Sequence, residues 1–99
     1  MKIAVTYQDG DIFQHFGHTE FFKIYDIENT DIVKTEIVST NGSGHGALAQ
    51  FLHEHSVDTL ICGGIGGGAQ LALTQAGIKL YGGVTGKADD AVNALINNK

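Results

Sequence analysis

The hydrophobic pattern of this chain changes period halfway along, and that change constrains the fold more than any other feature. Lys2–Tyr7 (KIAVTY) is a short, nearly unbroken apolar run, as expected of a strand covered on both faces. Gln8-Asp9-Gly10-Asp11 interrupts it. Phe21–Ile27 then alternates, with Phe22 and Ile24 on one side and Phe21, Lys23 and Tyr25 on the other. Ile32–Val38 alternates again, setting Val33 and Ile37 against Lys34 and Glu36. Glu28-Asn29-Thr30-Asp31 between these runs is a polar turn of hairpin length. The first half therefore predicts a three-stranded antiparallel meander with one polar face along its third strand.

After Asn41-Gly42-Ser43-Gly44 the helical period takes over. Ala47, Leu48, Phe51, Leu52 and His55 recur at helical spacing, and Thr59–Cys62 (TLIC) reads as a buried strand running into glycines. A helix over about Gly68–Ala76 is closed by Gly77, and Ile78–Tyr81 is a further apolar run of strand length. Ala88, Ala91, Val92 and Leu95 mark a last helix, whose first turn holds Asp89 and Asp90 at the positive end of its dipole. Helices alternating with strands imply parallel pairing. The expected molecule is one α/β domain over residues 1–99. Its mixed five-stranded sheet, an antiparallel meander followed by parallel strands, is flanked by helices as in a small ribonuclease-H-like domain.

Composition removes several classes of function. Six Lys, no Arg and eleven Asp plus Glu leave a net charge of −5, which argues against a nucleic-acid backbone as partner. With 42% apolar and 17% charged residues the chain is not a disordered one. A single cysteine, Cys62, excludes a disulfide framework and an all-cysteine metal site within one chain. No apolar run has the length of a membrane span and no signal-peptide pattern opens the sequence, so the expected protein is cytoplasmic, with no membrane partner.

The chemistry-bearing residues fall in loops. Gly63, Gly64, Gly66, Gly67 and Gly68 lie between a buried strand and a helix, at the end of a sheet where open α/β folds place ligands. Backbone amides exposed there, at a helix N-terminus, hold an anion without any charged side chain. A tight strand-to-helix turn that needs small residues accounts for the same pattern. Gly64, Gly66 and Ala69 even fit a relaxed dinucleotide fingerprint. However, Ile78–Tyr81 ends in Gly82-Gly83 where an acidic ribose-binding residue belongs, and no phosphate-loop lysine follows. His15 and His18 stand between two strands, and His45 stands between Gly44 and Gly46 before a helix. Both are places from which an imidazole can be aimed at a metal or an anion. His53 and His55 read as the polar end of a helix, and Cys62 as a small buried hydrophobe unless its sulfur faces the glycine loop. Hydrolytic chemistry is poorly supplied: neither Lys2–Tyr7 nor Thr59–Cys62 carries a carboxylate, Asp9 and Asp11 read as turn formers, and Ser39, Ser43 and Ser56 lack a nucleophile motif.

With His15-Phe16-Gly17, His45-Gly46 and Gly63-Gly64-Ile65-Gly66 in this order, the chain resembles the dinitrogenase iron–molybdenum cofactor biosynthesis family. The likeness extends to the opening Lys2-Ile3-Ala4-Val5, to Val57-Asp58, to Ala76-Gly77-Ile78 and to the acidic start of the last helix. The resemblance implies a ribonuclease-H-like fold that binds or carries an iron–sulfur or iron–molybdenum-type cluster, or its precursor, without turning over a substrate. It also implies cluster donor and acceptor proteins as partners. By position, His15 and the loop histidine His45 are the implied metal ligands, and Gly63, Gly64 and Gly66 the implied small-residue turn. His18 beside His15 and Gly67 beside Gly66 are the further candidates, for the metal and for the anion cradle. The alternative use of the same turn is as a sensing module for a small anion or a nucleotide phosphate.

Overall fold

The computed structural model describes residues 1–42 and 45–97, the side chains of residues 45 and 46 excepted. Its strands are β1 (Lys2–Gln8), β2 (Asp11–Ile12), β3 (Phe21–Glu28), β4 (Asp31–Ser39), β5 (Thr59–Ile61) and β6 (Lys79–Tyr81). Its helices are α1 (His45–Glu54), α2 (Gly67–Gln75) and α3 (Ala88–Asn97), and a 3-10 turn spans Phe16–His18. The sheet runs β4-β3-β1-β5-β6, antiparallel on the β3 and β4 side and parallel on the β5 and β6 side. This is the expected ribonuclease-H-like layout.

The unbroken apolar run of β1 is explained by its central place. Ile3 and Val5 face α3, packing with Tyr25, Ile61, Val92 and Ile96. Ala4 faces α1 and α2, packing with Phe22, Leu48, Leu52, Leu60 and Leu73. Both faces of β1 are thus covered, as period-2 alternation requires. Gly77, at φ +77°, ends α2 in the left-handed region that a side chain would strain, and lets Ile78 turn back into the core.

Two features depart from the sequence reading. Asp9 and Gly10 form a two-residue turn that folds β2 back on β1, with Gln8 opposite Asp11. Asp-Gly between apolar residues is a strong hairpin signal, but the length of β2 hid it. The second departure is β4, whose apolar side, opposite its polar face, read as Val33 and Ile37. Both are 53% exposed, and its core contacts come instead from Ile32 and Val38. A register shift between Asp26 and Ile27 leaves Val33 as an extra residue in the ladder, and β4 is the outermost strand, so its faces are largely exposed.

One polar junction fixes α3 to the sheet. Lys23 Nζ and Tyr25 Oη both donate to Asp89 Oδ1, at 2.8 and 2.6 Å, beside the α3 N-terminus. These two bonds hold the Asp89 carboxyl below its ordinary value, whereas burial, reinforced by that carboxylate, raises the Tyr25 phenol. A carboxyl lowered by folding stabilises above its unfolded value, and that contribution fades as pH falls through the folded one. Asp89→Asn should therefore cost up to about 1 kcal/mol at pH 7, because the carboxylate is largely exposed. The difference in melting temperature from wild type should shrink as the pH drops below about 4. Thermal unfolding across that range measures it.

Candidate functional site

The site is built where two loops meet at the carboxyl ends of β1 and β5. Main chain closes the junction: Gly64 N–H donates to Gln14 O at 2.7 Å, and Phe16 N–H donates to Gly64 O at 3.1 Å. The result is a short parallel bridge between His15 and Gly64. Such an approach requires a bare backbone. A Cβ at Gly63 would stand 2.5 Å from Gln14 Oε1 and 2.7 Å from Gln14 Cα. Gln14 then locks the junction with its side chain, whose amide donates to Ile12 O at 3.0 Å and Val84 O at 3.1 Å. Nothing in the sequence pattern singled out Gln14, because a lone amide in a loop carries no spacing signal.

The bridge sets the two imidazoles beside α2. His15 precedes the 3-10 turn and His18 ends it, and both are exposed. Phe16 between them is buried and packs against Phe22, so the turn cannot swing away from the core. His15 and His18 line a cleft of about 500 Å³ with Gly64, Ile65, Gly66 and Ala69 on its other wall. The second wall is the start of α2. Gly66 is its N-cap residue and supplies no side-chain cap, no acidic residue sits in the first turn, and the first helical bond runs from Gln70 N–H to Gly66 O at 3.0 Å. The amides of Gly67, Gly68 and Ala69 thus belong to an uncapped helix N-terminus, the positive end of the dipole. Among the described residues no carboxylate lines the cleft, although acidic residues outnumber lysines in the chain.

His15, His18, Gly64 and Gly66 come together in the cleft, and Gly67 opens the adjoining helix. Gly63 is buried, and its smallness serves the contact with Gln14. His45 opens α1, which packs against α2 and the 3-10 turn, but its side chain lies outside the described residues. Phe16, Gly17, Ile65, Gly68, Ala69 and Ala72 complete the cleft, and of these Ala72 alone lay outside the motifs read in the sequence. Among the described residues, no three His, Cys, Asp or Glu side chains cluster as a metal site would require.

Comparison with known proteins agrees with this architecture. The model of the family described as dinitrogenase iron–molybdenum cofactor matches residues 1–98. The chain belongs to that family. Within reach of the family lies an uncharacterized protein of Methanocaldococcus jannaschii, MJ0580, which is 30% identical over 104 residues, covering 100% of this chain and 88% of that protein. Among solved structures, PH0822 superposes with a TM-score of 0.94 at 30% identity, covering 100% of this chain and 91% of that one. The orange protein of Desulfovibrio gigas, solved in its apo form, superposes at 0.83 with 28% identity, covering 97% of this chain and 87% of that one.

Cys62 stands apart from the cleft. Its side chain is fully buried in the core between the sheet and α1 and α2, and burial pushes its thiol up to about 11. It packs as a small hydrophobe. Two outcomes are expected. Relative to the ordinary value of 9.0, the native thiolate population at pH 8 should fall by about a hundredfold, so a thiol reagent should label Cys62 only on unfolding. Gly63→Ala should lose about 1–3 kcal/mol by forcing Gln14 aside, whereas Gly66→Ala, whose Cβ meets nothing within 4 Å, should melt within about a degree of wild type. Calorimetry compares the two.

Proposed function

We propose that the chain binds and hands on an anionic inorganic cargo, an iron–sulfur or molybdenum-type cluster or its precursor, without turning over a substrate. The observation that carries this reading is the composition of the cleft: two histidines and an uncapped helix N-terminus line it, with no carboxylate among the described residues. Imidazole nitrogens ligate iron and related metals, and helix-end amides bind the negative charge that sulfido and thiometallate species carry. Membership of the dinitrogenase iron–molybdenum cofactor family and the likeness to the orange protein, whose structure is described as an apo form, support the same class of cargo.

Carrying, as opposed to permanent holding, fits the small number of ligands. Sites that retain a metal surround it with three or four protein ligands. Here the described side chains supply His15 and His18, and the remainder of the lining is main chain or apolar. A cargo so held keeps open positions through which an acceptor protein can take it. Donor and acceptor proteins of clusters are therefore the proposed partners.

Anaerobic reconstitution with iron and sulfide, and in parallel with tetrathiomolybdate, tests this. Wild type should retain a visible chromophore through gel filtration at about one cargo per chain, and His15→Ala/His18→Ala should lose at least about tenfold of that uptake. Both side chains are exposed, and circular dichroism with thermal unfolding checks that the double variant, which loses the edge contact of His15 with Phe13, keeps the fold. A chromophore absent from wild type, or taken up equally by the variant, would refute the assignment. If nucleotides or inorganic phosphate raise the melting temperature while thiometallate does not, the turn serves as a phosphate sensor instead.

A further inference from the structure

β4 forms one edge of the sheet. The strand is nine residues long, has neither Pro nor Gly, and ends the sheet. Ladder parity shows which groups it leaves unpaired. Ile27 N–H donates to Met1 O at 2.8 Å, so Ile27 and every second residue before it bond toward β1. Ile24 and Phe22 consequently bond toward β4, and their partners Glu36 and Val38 bond back. The main-chain N–H and C=O of Thr35 and Ile37 therefore point away from β3, along the open edge. Isolated edges of this kind pair with other strands unless something blocks them.

The side chains of β4 are complementary to themselves. About a two-fold axis through Thr35, an antiparallel copy sets Lys34 opposite Glu36 and Val33 opposite Ile37, each contact occurring twice. Shifting the axis by half a residue or more loses both Lys–Glu pairs. In this register Thr35 pairs with Thr35 through main-chain bonds, and the Lys34–Glu36 positions become non-hydrogen-bonded pairs, the closer kind, where opposite charges attract most. The same register covers Ile37 and Val33, each 53% exposed in the single chain. Lys34 and Glu36 are exposed charges that guard the edge against strands without matching charges, and a second copy presents them in the matching order.

We propose that β4 is a homodimerisation strand, joining two copies of this chain into one continuous sheet through antiparallel pairing centred on Thr35. The extra residue at Val33 confines the joined ladder to Val33–Ile37. A contact this short is smaller than the surface that a permanent dimer buries, so the association is reversible. The cleft of His15 and His18 is lined by no β4 residue and stays open in both copies.

Sedimentation equilibrium in low salt, from about 20 μM to about 2 mM, reads the association directly. Wild-type mass should climb from 10.5 kDa toward twice that value. Lys34→Glu and Glu36→Lys, each of which sets like charges opposite one another, should each weaken association by at least about tenfold. The double variant K34E/E36K should restore it. An equimolar mixture of the two single variants should also associate, because each presents the charges that the other lacks. A wild type that stays at 10.5 kDa throughout would overturn the proposal. So would single variants that associate like wild type, or a double variant and a mixture that fail to recover. All these substitutions are at exposed positions, and circular dichroism identical to wild type confirms that the fold is unchanged.

Discussion

The main-chain junction between Gln14–Phe16 and Gly63–Gly64 is the constraint on which the site depends. Two hydrogen bonds of 2.7 and 3.1 Å bring a loop from the antiparallel half against a turn from the parallel half. Neither loop belongs to a regular ladder; Phe13 N–H bonds to Thr6 O and Gly83 N–H to Gly63 O at their flanks, and the two bonds of the junction join the loops directly. The absence of a side chain at Gly63 makes the approach possible, and the Gln14 amide, bonded to Ile12 and Val84, makes it specific. Buried polar atoms tied in this way hold geometry better than apolar contact does, because slipping would leave them unpaired. Position of the imidazoles relative to α2 follows from that bridge.

Layering explains why the cleft stays open. α1 and α2 cover one face of the sheet, and α3 covers the other. On the two-helix face, α1 packs on α2 and on the 3-10 turn, and α2 packs on β6. The start of α2 therefore meets the 3-10 turn at the rim of the core. Ala69 and Ala72 are small where α2 faces that turn, and the glycines before them add no bulk. A volume of about 500 Å³ is left at the rim, within the range of small-ligand sites.

Most of the architecture was legible because packing leaves a periodic trace. The run Lys2–Tyr7 announced a central strand, the helical spacing of Leu48 and Leu52 announced α1, and Gly77 announced the end of α2. β4 was misread because alternation shows which residues share a face, not whether any element covers that face. Val33 and Ile37 alternate correctly and still face outward, since the ladder gains a residue at Val33 and no strand lies beyond β4. At the site, glycines and histidines stood out through loop placement, whereas Gln14 did not. A hydrogen bond across 70 positions in the chain leaves no local pattern to read. Gly63 and Gly66 looked equivalent as letters, yet one fills a contact and the other borders open space.

The balance of charge also bears on how such a cleft could serve an anion. The chain carries −5, which over long distances repels a negatively charged cargo. At physiological ionic strength that repulsion decays over roughly 8 Å, so a bound anion feels chiefly the groups that line its own pocket. Those groups are imidazoles and the positive end of α2, with the acidic residues placed elsewhere. Attraction is therefore short-ranged and confined to the cleft. For the carrier role proposed above, few ligands and the net negative charge would act in the same direction, toward release.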